Sequence, residues 1–257
     1  MIVPPFEWPV AKAASCRYLR AMKFPDPLMA GTLVRRYKRF LSDIALDGGD
    51  VVTAHCANPG SMLSVDEAGA RVWVSPSRNP KRKLRYTWEL IEIGGSLVGI
   101  NTSLPNGLVE EAVVAGAIAE LTGYGNLRRE VAYGRNSRID LLLEEAGRPP
   151  CYVEVKNVTM RRGTAPDDPA EFPDSVTARG TKHLAELADR VEAGERAVML
   201  YLVQRTDCDR LTIAGDIDPV YAEALGRAMA VGVEVLCYGC NMSTRGISVA
   251  GPLALAL

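Results

Sequence analysis

The most constraining feature of this chain is a pair of apolar segments that are each interrupted by an acidic residue. Residues 137–143 read Ser-Arg-Ile-Asp-Leu-Leu-Leu, and residues 153–156 read Val-Glu-Val-Lys. Burying an ionised carboxylate is costly unless it is paired or binds a cation, so Asp140 and Glu154 need partners. The stretch 144–150 between the segments contains a glycine and two prolines and predicts a hairpin turn. Such a hairpin brings Asp140 opposite Glu154.

The same hairpin predicts a cation site. Glu154 and Lys156 are two positions apart on a predicted strand and therefore point to the same face. Two carboxylates and an ammonium then converge on one patch. Carboxylate oxygens suit a hard cation that keeps some of its waters, Mg²⁺ or alternatively Mn²⁺, and the lysine can orient or help to deprotonate an attacking water. The competing interpretation is a structural ion pair between Glu154 and Lys156, with Asp140 facing solvent.

The elements around the hairpin predict an α/β layered domain. Apolar periodicity and turn residues give the order helix, three strands, helix, strand, helix, strand, which is typical of this fold class. Their approximate bounds are 108–121, 129–133, 138–143, 151–158, 182–192, 197–203, 218–231 and 233–237.

The first hundred residues predict a small antiparallel barrel. About five short runs with strand alternation lie between residues 28 and 100, separated by turn signals such as Asn58-Pro59-Gly60. Residues 1–22 lack a clean helix or strand period. The predicted domains are therefore an N-terminal extension (1–22), a barrel (23–100) and the α/β domain (101–257).

Composition limits the classes of protein that this chain can be. Of its 257 residues 47% are apolar and 24% charged, which excludes a disordered chain. No window approaches the roughly 18 consecutive apolar residues of a membrane helix, so no membrane partner is expected. Because we find no secretory leader pattern, the six cysteines predict reduced thiols and a cytoplasmic location.

The net charge of −1 excludes a uniformly basic nucleic-acid coat but hides two unlike halves. Residues 1–107 carry 14 basic and 9 acidic side chains, whereas residues 108–257 carry 16 and 22. Basic residues beside aromatic rings are what single-strand-binding barrels use for phosphates and bases. The candidates for nucleic-acid binding in this half are Arg36, Tyr37, Lys38, Arg39, Lys81, Arg82 and Lys83. Alternatively, the rings belong to the core and the cations form a solvated face.

Three more candidates for nucleic-acid binding lie at the predicted start of the second core helix. Arg179, Lys182 and His183 sit where backbone amides attract anions. Contact with phosphate is one interpretation, and a solvated helix end is the other. His183 is also a candidate general acid or a packed ring.

The hairpin resembles the core of the PD-(D/E)xK nucleases, which has a helix, a strand hairpin bearing Asp and Glu-x-Lys, a helix and a fourth strand. The matching segments are 138–143 and 154–156, although Ile139 stands where that family has proline. By this resemblance Asp140 and Glu154 would hold the metal and Lys156 would position the water. Glu111 on the preceding helix is a candidate for a further metal ligand, and Glu110 competes with it.

A second resemblance covers most of the chain. Motifs spread over about residues 22–249 are similar to the sugar fermentation stimulation protein family, namely those at 22–25, 31–33, 36–40, 55–62, 101–102, 153–159, 172–174 and 179–184. That family is described as DNA-binding. The resemblance implies an OB-like antiparallel β-barrel followed by a PD-(D/E)xK restriction-endonuclease-like α/β domain. DNA is the implied partner, RNA is an alternative, and a homodimer stays open.

These expectations predict a DNA-binding protein with a divalent-metal-dependent nuclease site at Asp140, Glu154 and Lys156. The alternative is a non-catalytic DNA-binding regulator of sugar metabolism genes that uses the nuclease-like core for docking. Retention of all three catalytic-type residues favours the enzyme.

Overall fold

A barrel packs against a layered α/β domain in this computed structural model, which describes residues 22–134 and 136–256. The elements in chain order are β1 (Met22–Lys23), β2 (Met29–Tyr37), β3 (Leu41–Leu46), β4 (Val51–Cys56), β5 (Arg71–Pro76), β6 (Tyr86–Ile93), β7 (Ser96–Gly99), α1 (Pro105–Val114), β8 (Asn126–Tyr133), β9 (Ser137–Glu144), β10 (Cys151–Val158), β11 (Ala170–Phe172), α2 (Ala178–Glu192), β12 (Arg196–Val203), β13 (Arg210–Ile213), α3 (Pro219–Ala230), β14 (Glu234–Ser243), β15 (Gly246–Pro252) and β16 (Ala254–Ala256). Apart from Met22, the predicted N-terminal extension lies outside the described residues.

The barrel forms because its strands alternate between buried and more exposed positions. In β3, for example, every second side chain is buried, which gives the strand one apolar face. The strands pair in the order β4-β3-β2-β5-β6-β7, and a further parallel pairing between β4 and β6 closes a barrel of five strands. Leu33, Ile44, Val72 and Trp88 fill its centre. The predicted OB-like barrel is therefore confirmed.

The α/β domain is built on a seven-stranded sheet with the order β1-β15-β14-β12-β10-β9-β8. Its central strands β10, β12 and β14 are parallel to one another, and β12 is apolar and buried from Ala197 to Val203, as expected for a strand that is covered on both faces. Helix α1 packs on one face of the sheet, and α2 and α3 pack on the other. A small parallel sheet, β11-β13-β16, completes the domain. None of the described helices is long and apolar enough to cross a bilayer.

The first helix differs from the predicted range 108–121. It begins at Pro105, because proline at the first helical position needs no N–H partner and has a suitable φ. It ends at Val114, just before Gly116 adopts a left-handed φ of 71°. Ile118 and Leu121 are buried from a separate short 3₁₀ segment, so apolar spacing continues beyond the helix itself.

The second helix begins four residues earlier than the predicted Lys182. Thr177 caps it, since its hydroxyl accepts the N–H of Gly180 at 3.1 Å. Asp218 caps α3 through the N–H of Tyr221 at 3.0 Å and also accepts the N–H of Thr177 at 2.7 Å. One buried carboxylate therefore fixes the starts of both helices.

The edge of the large sheet was not predicted. The last predicted strand, 233–237, is longer and runs as β14 to Ser243, and β15 then returns antiparallel to it. Lys23 pairs with Gly246 of β15, so β1 adds to the large sheet although residue 23 was assigned to the barrel. A pairing between residues this far apart leaves no local pattern in the sequence.

Hydrogen bonds join the barrel to the α/β domain along β7 and the following residues. The N–H of Gly99 donates to the carbonyl of Gln204 at 2.9 Å, and the hydroxyl of Thr102 donates to the carbonyl of Ala57 at 2.6 Å. Glu89 of β6 is buried nearby, and its carboxylate accepts from Ser75 at 2.6 Å and from Asn101 at 2.8 Å. This connection holds one end of the barrel beside the end of β10.

Candidate active site

The β9–β10 hairpin opens where Asp140 meets Glu154. Its ladder pairs run from Cys151 with Leu143 to Val153 with Leu141 and stop there. Beyond that point, Oδ2 of Asp140 accepts the N–H of Val155 at 2.7 Å. A side chain therefore replaces the next ladder hydrogen bond, and the two strands separate enough to form the floor of a cleft.

Glu154 lies at the centre of a chain of polar side chains. It is 2% exposed, and its Oε1 accepts from Nζ of Lys156 at 2.6 Å and from Nδ1 of His183. Nε2 of His183 in turn accepts from Nε of Arg179 at 3.3 Å, which places the ring proton on Nδ1. Oε2 of Glu154 is also buried and has no hydrogen-bond partner among the described residues.

The two carboxylates differ in their electrostatics. Burial raises the pKa of Asp140 to about 6, and the charge of Glu154 acts in the same direction. Burial also acts to raise the pKa of Glu154, but the hydrogen bond from His183 and the charge of Lys156 together hold that pKa below its ordinary value. Glu154 is therefore a fixed anion, whereas the charge on Asp140 is poorly stabilised by its protein surroundings.

Helix α1 contributes an amide to this cluster. Nδ2 of Asn106 donates to Oδ1 of Asp140 at 2.7 Å. Glu111 is exposed and does not line the cleft, and Glu110 pairs with Arg129 at 3.2 Å. Sequence reasoning missed Asn106 because the helix was predicted to begin at Leu108, although proline followed by helical spacing also marks the start of a helix.

The cleft has a volume of about 370 Å³ and opens to solvent. The side chains that could hold a cation in it are Asp140 and Glu154, with Lys156 and His183 beside them. Among residues 22–134 and 136–256, no three His, Cys, Asp or Glu side chains are grouped so as to hold a metal ion. A cation bound here would have two carboxylates and would complete its coordination with other oxygens.

A loop of the barrel forms the opposite wall of the cleft. Asn58, Pro59 and Gly60 line it. Nη2 of Arg36 donates to the carbonyls of Asn58 and Gly60 at 3.0 and 2.9 Å, and the Arg36 side chain is only 9% exposed. The structure thus places Arg36, predicted to bind nucleic acid, behind the loop, where its hydrogen bonds are used within the protein.

The α/β domain holds the same loop from its other side. The carboxylate of Asp174 accepts the N–H of Met62 at 3.0 Å, and its carbonyl accepts the hydroxyl of Ser61 at 2.7 Å. A Cβ on Gly60 would lie 2.9 Å from Oδ2 of Asp174, so glycine allows this close approach. Both domains therefore build the cleft.

Of the other basic candidates of the barrel, Lys38 and Arg39 lie in the turn between β2 and β3. Both side chains are exposed. At the end of this turn, the carbonyl of Phe40 accepts the N–H of Cys56 at 2.9 Å. The hydroxyl of Tyr37 donates to Asp43 at 3.1 Å. The turn therefore lies beside Cys56, two residues before the loop at Asn58 that forms the wall of the cleft.

The second basic segment contains two exposed lysines, Lys81 and Lys83, around a more buried Arg82. Nη1 of Arg82 donates to the hydroxyl of Thr87 at 2.9 Å, and Thr87 pairs with His55 in the barrel. Burial and then the charge of Arg82 lower the pKa of His55. Arg82 is thus partly engaged within the barrel.

The remaining candidates lie on α2. Arg179 is an exposed side chain that lines the cleft. Lys182 is also exposed and forms an ion pair with Glu186 at 3.6 Å. The structure brings Arg179 and His183 to the carboxylates, while Lys182 lies outside the cleft lining.

The fold and the cleft define a class of two-domain proteins, in which an N-terminal OB barrel precedes a restriction-endonuclease-like α/β domain. Residues 34–100 match the family model of the SfsA N-terminal OB domain, and residues 103–246 match that of the sugar fermentation stimulation protein RE domain. This chain belongs to the sugar fermentation stimulation protein family.

Individual relatives agree with the family models over nearly the whole chain. A sugar fermentation stimulation protein homolog from Paramagnetospirillum magneticum is 59% identical over 236 residues, which cover 92% of this chain and 98% of the relative. A homolog from Maricaulis maris is also 59% identical and covers 92% and 99%. The structure of Pyrococcus furiosus SfsA in complex with Ca²⁺ matches with a TM-score of 0.82 and 26% identity, over 92% of this chain and 99% of that one.

Proposed function

We propose that this protein is a divalent-metal-dependent phosphodiesterase that binds and cleaves nucleic acid, DNA in the first place and RNA as the alternative. The observation that carries the proposal is the convergence of Asp140, Glu154 and Lys156 on one open cleft. Two carboxylates and an ammonium are the groups that metal-assisted hydrolysis of a phosphodiester needs.

The donor set fits a hard divalent cation such as Mg²⁺ or Mn²⁺. Oε2 of Glu154 is a buried anionic oxygen without a described hydrogen-bond partner, and burial disfavours the charge of Asp140. A cation between the two carboxylates would give Oε2 of Glu154 a partner and would stabilise the charge of Asp140. The relative from Pyrococcus furiosus was solved in complex with Ca²⁺, which supports a divalent-cation site in this family.

When bound, a divalent cation would polarise a phosphoryl oxygen and stabilise the negative charge that develops on the phosphate oxygens during hydrolysis. The protein residues have separate roles. Lys156, whose Nζ lies 2.6 Å from Oε1 of Glu154, orients the attacking water. His183 holds Glu154 in place, and Asn106 together with the Val155 N–H holds Asp140.

Phosphate binding is assigned to the side of the cleft formed by α2. The exposed guanidinium of Arg179 and the first turn of the helix at Gly180 line the cleft there. The guanidinium is a cation, and the N-terminal end of the helix has a partial positive charge from the helix dipole. The exposed basic side chains of the barrel, Lys38, Arg39, Lys81 and Lys83, would supply further contacts to the phosphate backbone.

The test is a cleavage assay with purified protein, Mg²⁺ or Mn²⁺, and single- and double-stranded DNA and RNA. We expect cleavage by the wild type, and a loss of at least about 100-fold for Asp140→Ala and for Lys156→Ala. Equal cleavage by all three proteins would identify a contaminant and overturn the proposal. Salt-sensitive binding without any cleavage would instead support a DNA-binding regulator.

A further inference from the structure

A second and smaller cavity lies beside the cleft, behind the loop formed by Asn58 and Gly60. It encloses about 80 Å³, several times the roughly 10–15 Å³ that one water needs. The two cavities share Asn58, Gly60 and Thr102 as a common wall. Nothing in the proposed reaction uses the smaller one.

Strand β10 serves both cavities. Glu154 and Lys156 line the cleft, and the next residues of the strand, Asn157 to Thr159, line the smaller cavity. Three residues of strand span about 10 Å. A group held in the cavity would therefore lie within about one nucleotide of a phosphate in the cleft.

The cavity walls carry hydrogen-bond donors that the protein leaves unused. Oδ1 of Asn58 accepts the N–H of Gly60 at 2.9 Å, and Oδ1 of Asn157 accepts Nε2 of Gln204 at 2.7 Å. The Nδ2 groups of both amides have no hydrogen bond to the described part of the chain, and neither has the hydroxyl of Thr159. Asn58 is 5% and Thr159 7% exposed, whereas Asn157 is half-buried. None of these three donor atoms is among the fully buried polar atoms that lack a partner, so water can reach them in the open cavity.

The remaining lining excludes phosphate and favours a flat neutral group. Phe172 forms part of the wall, and its ring contacts those of Tyr201 and Tyr221, with ring centroids 5.4 and 5.2 Å away. The charged lining residues are Glu171 and Asp174, and no Lys or Arg is among them. Both oxygens of the Glu171 carboxylate accept hydrogen bonds from Arg162, so this carboxylate is used within the protein. The remaining groups, an aromatic ring, amides and a hydroxyl, are among those that bind an unpaired nucleobase by stacking and by its hydrogen-bonding edge.

We infer that the cavity binds one unpaired nucleobase next to the phosphate held in the cleft, and that the substrate class is therefore single-stranded nucleic acid. This inference rests on the proposed function and makes it more specific. A base in a duplex must first be unpaired and unstacked before it can enter the cavity, and a single strand avoids this free-energy cost.

The experiment measures binding rather than cleavage. A single strand of about 12 nucleotides and a strand of equal length made of abasic sites are titrated in EDTA, with fluorescence anisotropy as the readout. The variants are Thr159→Val, which removes one donor, and Asn157→Leu, which removes the amide donor without adding a charge. Thr122→Val makes the same chemical change as the first variant at an exposed site outside both cavities, and thermal melting checks that each variant is folded.

We expect the cavity variants to bind the normal strand about fivefold to tenfold more weakly, with no change for the abasic strand, the paired duplex or Thr122→Val. Equal losses on normal and abasic strands, or no loss on either, would overturn the nucleobase site while binding itself persists. The Asp140→Ala and Lys156→Ala cleavage assay decides the proposed function separately. A wild type that binds neither strand would overturn both.

Discussion

The carboxylate of Asp140 accepts the main-chain N–H of Val155 at 2.7 Å, so a side chain of β9 takes the place of a backbone carbonyl in the pairing with β10. The same carboxylate accepts the amide of Asn106 at 2.7 Å. Asp140 therefore supports the local structure of the sheet in addition to facing the cleft. Removal of its charge and removal of its hydrogen bonds should have separable effects.

Asp140→Asn and Asp140→Ala test this separation. Asn keeps an acceptor for Val155 and can still pair with Asn106 after the Asn106 amide turns over, so we expect stability close to that of the wild type. Ala leaves the buried N–H of Val155 without a partner, which should cost about 1–3 kcal/mol. Both variants should lose cleavage equally. Chemical denaturation measures the first effect, and equal stabilities of the two variants would contradict it.

Arg36 and Arg39 were both predicted to bind nucleic acid, but we expect substitution of Arg36 to affect stability and substitution of Arg39 to affect binding. Arg36→Ala removes the hydrogen bonds to the carbonyls of Asn58 and Gly60 and should lower stability by about 2 kcal/mol. Its effect on the salt dependence of binding should be small. Arg39→Ala removes an exposed cation, so melting should not change, but the slope of log affinity against log salt should fall by about 0.7 to 0.9. If Arg36→Ala instead lowered the salt slope and left stability unchanged, Arg36 would contact nucleic acid and this prediction would be wrong.

Gly60→Ala should disturb the wall of the cleft. The added Cβ would lie 2.9 Å from Oδ2 of Asp174, which must move and weaken its hydrogen bond to Met62. We expect a stability loss of about 1–3 kcal/mol and a loss of cleavage that exceeds what unfolding explains. Gly48→Ala is the matched control, because its Cβ meets no atom within 4 Å. Similar behaviour of the two variants would show that the loop does not shape the cleft.

Glu89 should make the barrel less stable as pH rises. Burial raises the pKa of this carboxyl above its ordinary value, against the hydrogen bonds from Ser75 and Asn101. The folded state therefore binds a proton more tightly than the unfolded chain, and this contribution to stability is fully present below the ordinary pKa of Glu89 and is lost as pH rises through its raised folded value. Glu89→Gln should remove this part of the pH dependence. Denaturation midpoints over this range measure it, and parallel pH profiles for the two proteins would contradict it.

The sequence was most informative where the signal is local. The β9–β10 hairpin, the apolar strand β12 and the helix after Asp218 follow from residues that are close in the chain. Asp140, Glu154 and Lys156 were found because polar residues interrupted apolar strands, a pattern that has few explanations besides a site.

The partners of these residues were not predictable in the same way. Asn106, Asp174 and Arg36 contact the site or its wall through hydrogen bonds that span 22 to 113 residues of sequence. Each is an ordinary polar residue in its local context, and only the folded chain shows which group it meets. The pairing of β1 with β15 was missed for the same reason.

The hydrogen bond between Asp174 and the loop at Met62 limits how independently the two domains can change in evolution. A barrel exchanged between distant relatives would keep Arg36 with its loop but would separate the loop from Asp174, and the recipient would keep its carboxylates in a cleft with a mismatched wall. Chimeras that exchange the barrel alone should therefore fold more often than they function. Changes in the loop should survive only with matching changes at Asp174, so the two domains should vary together in evolution.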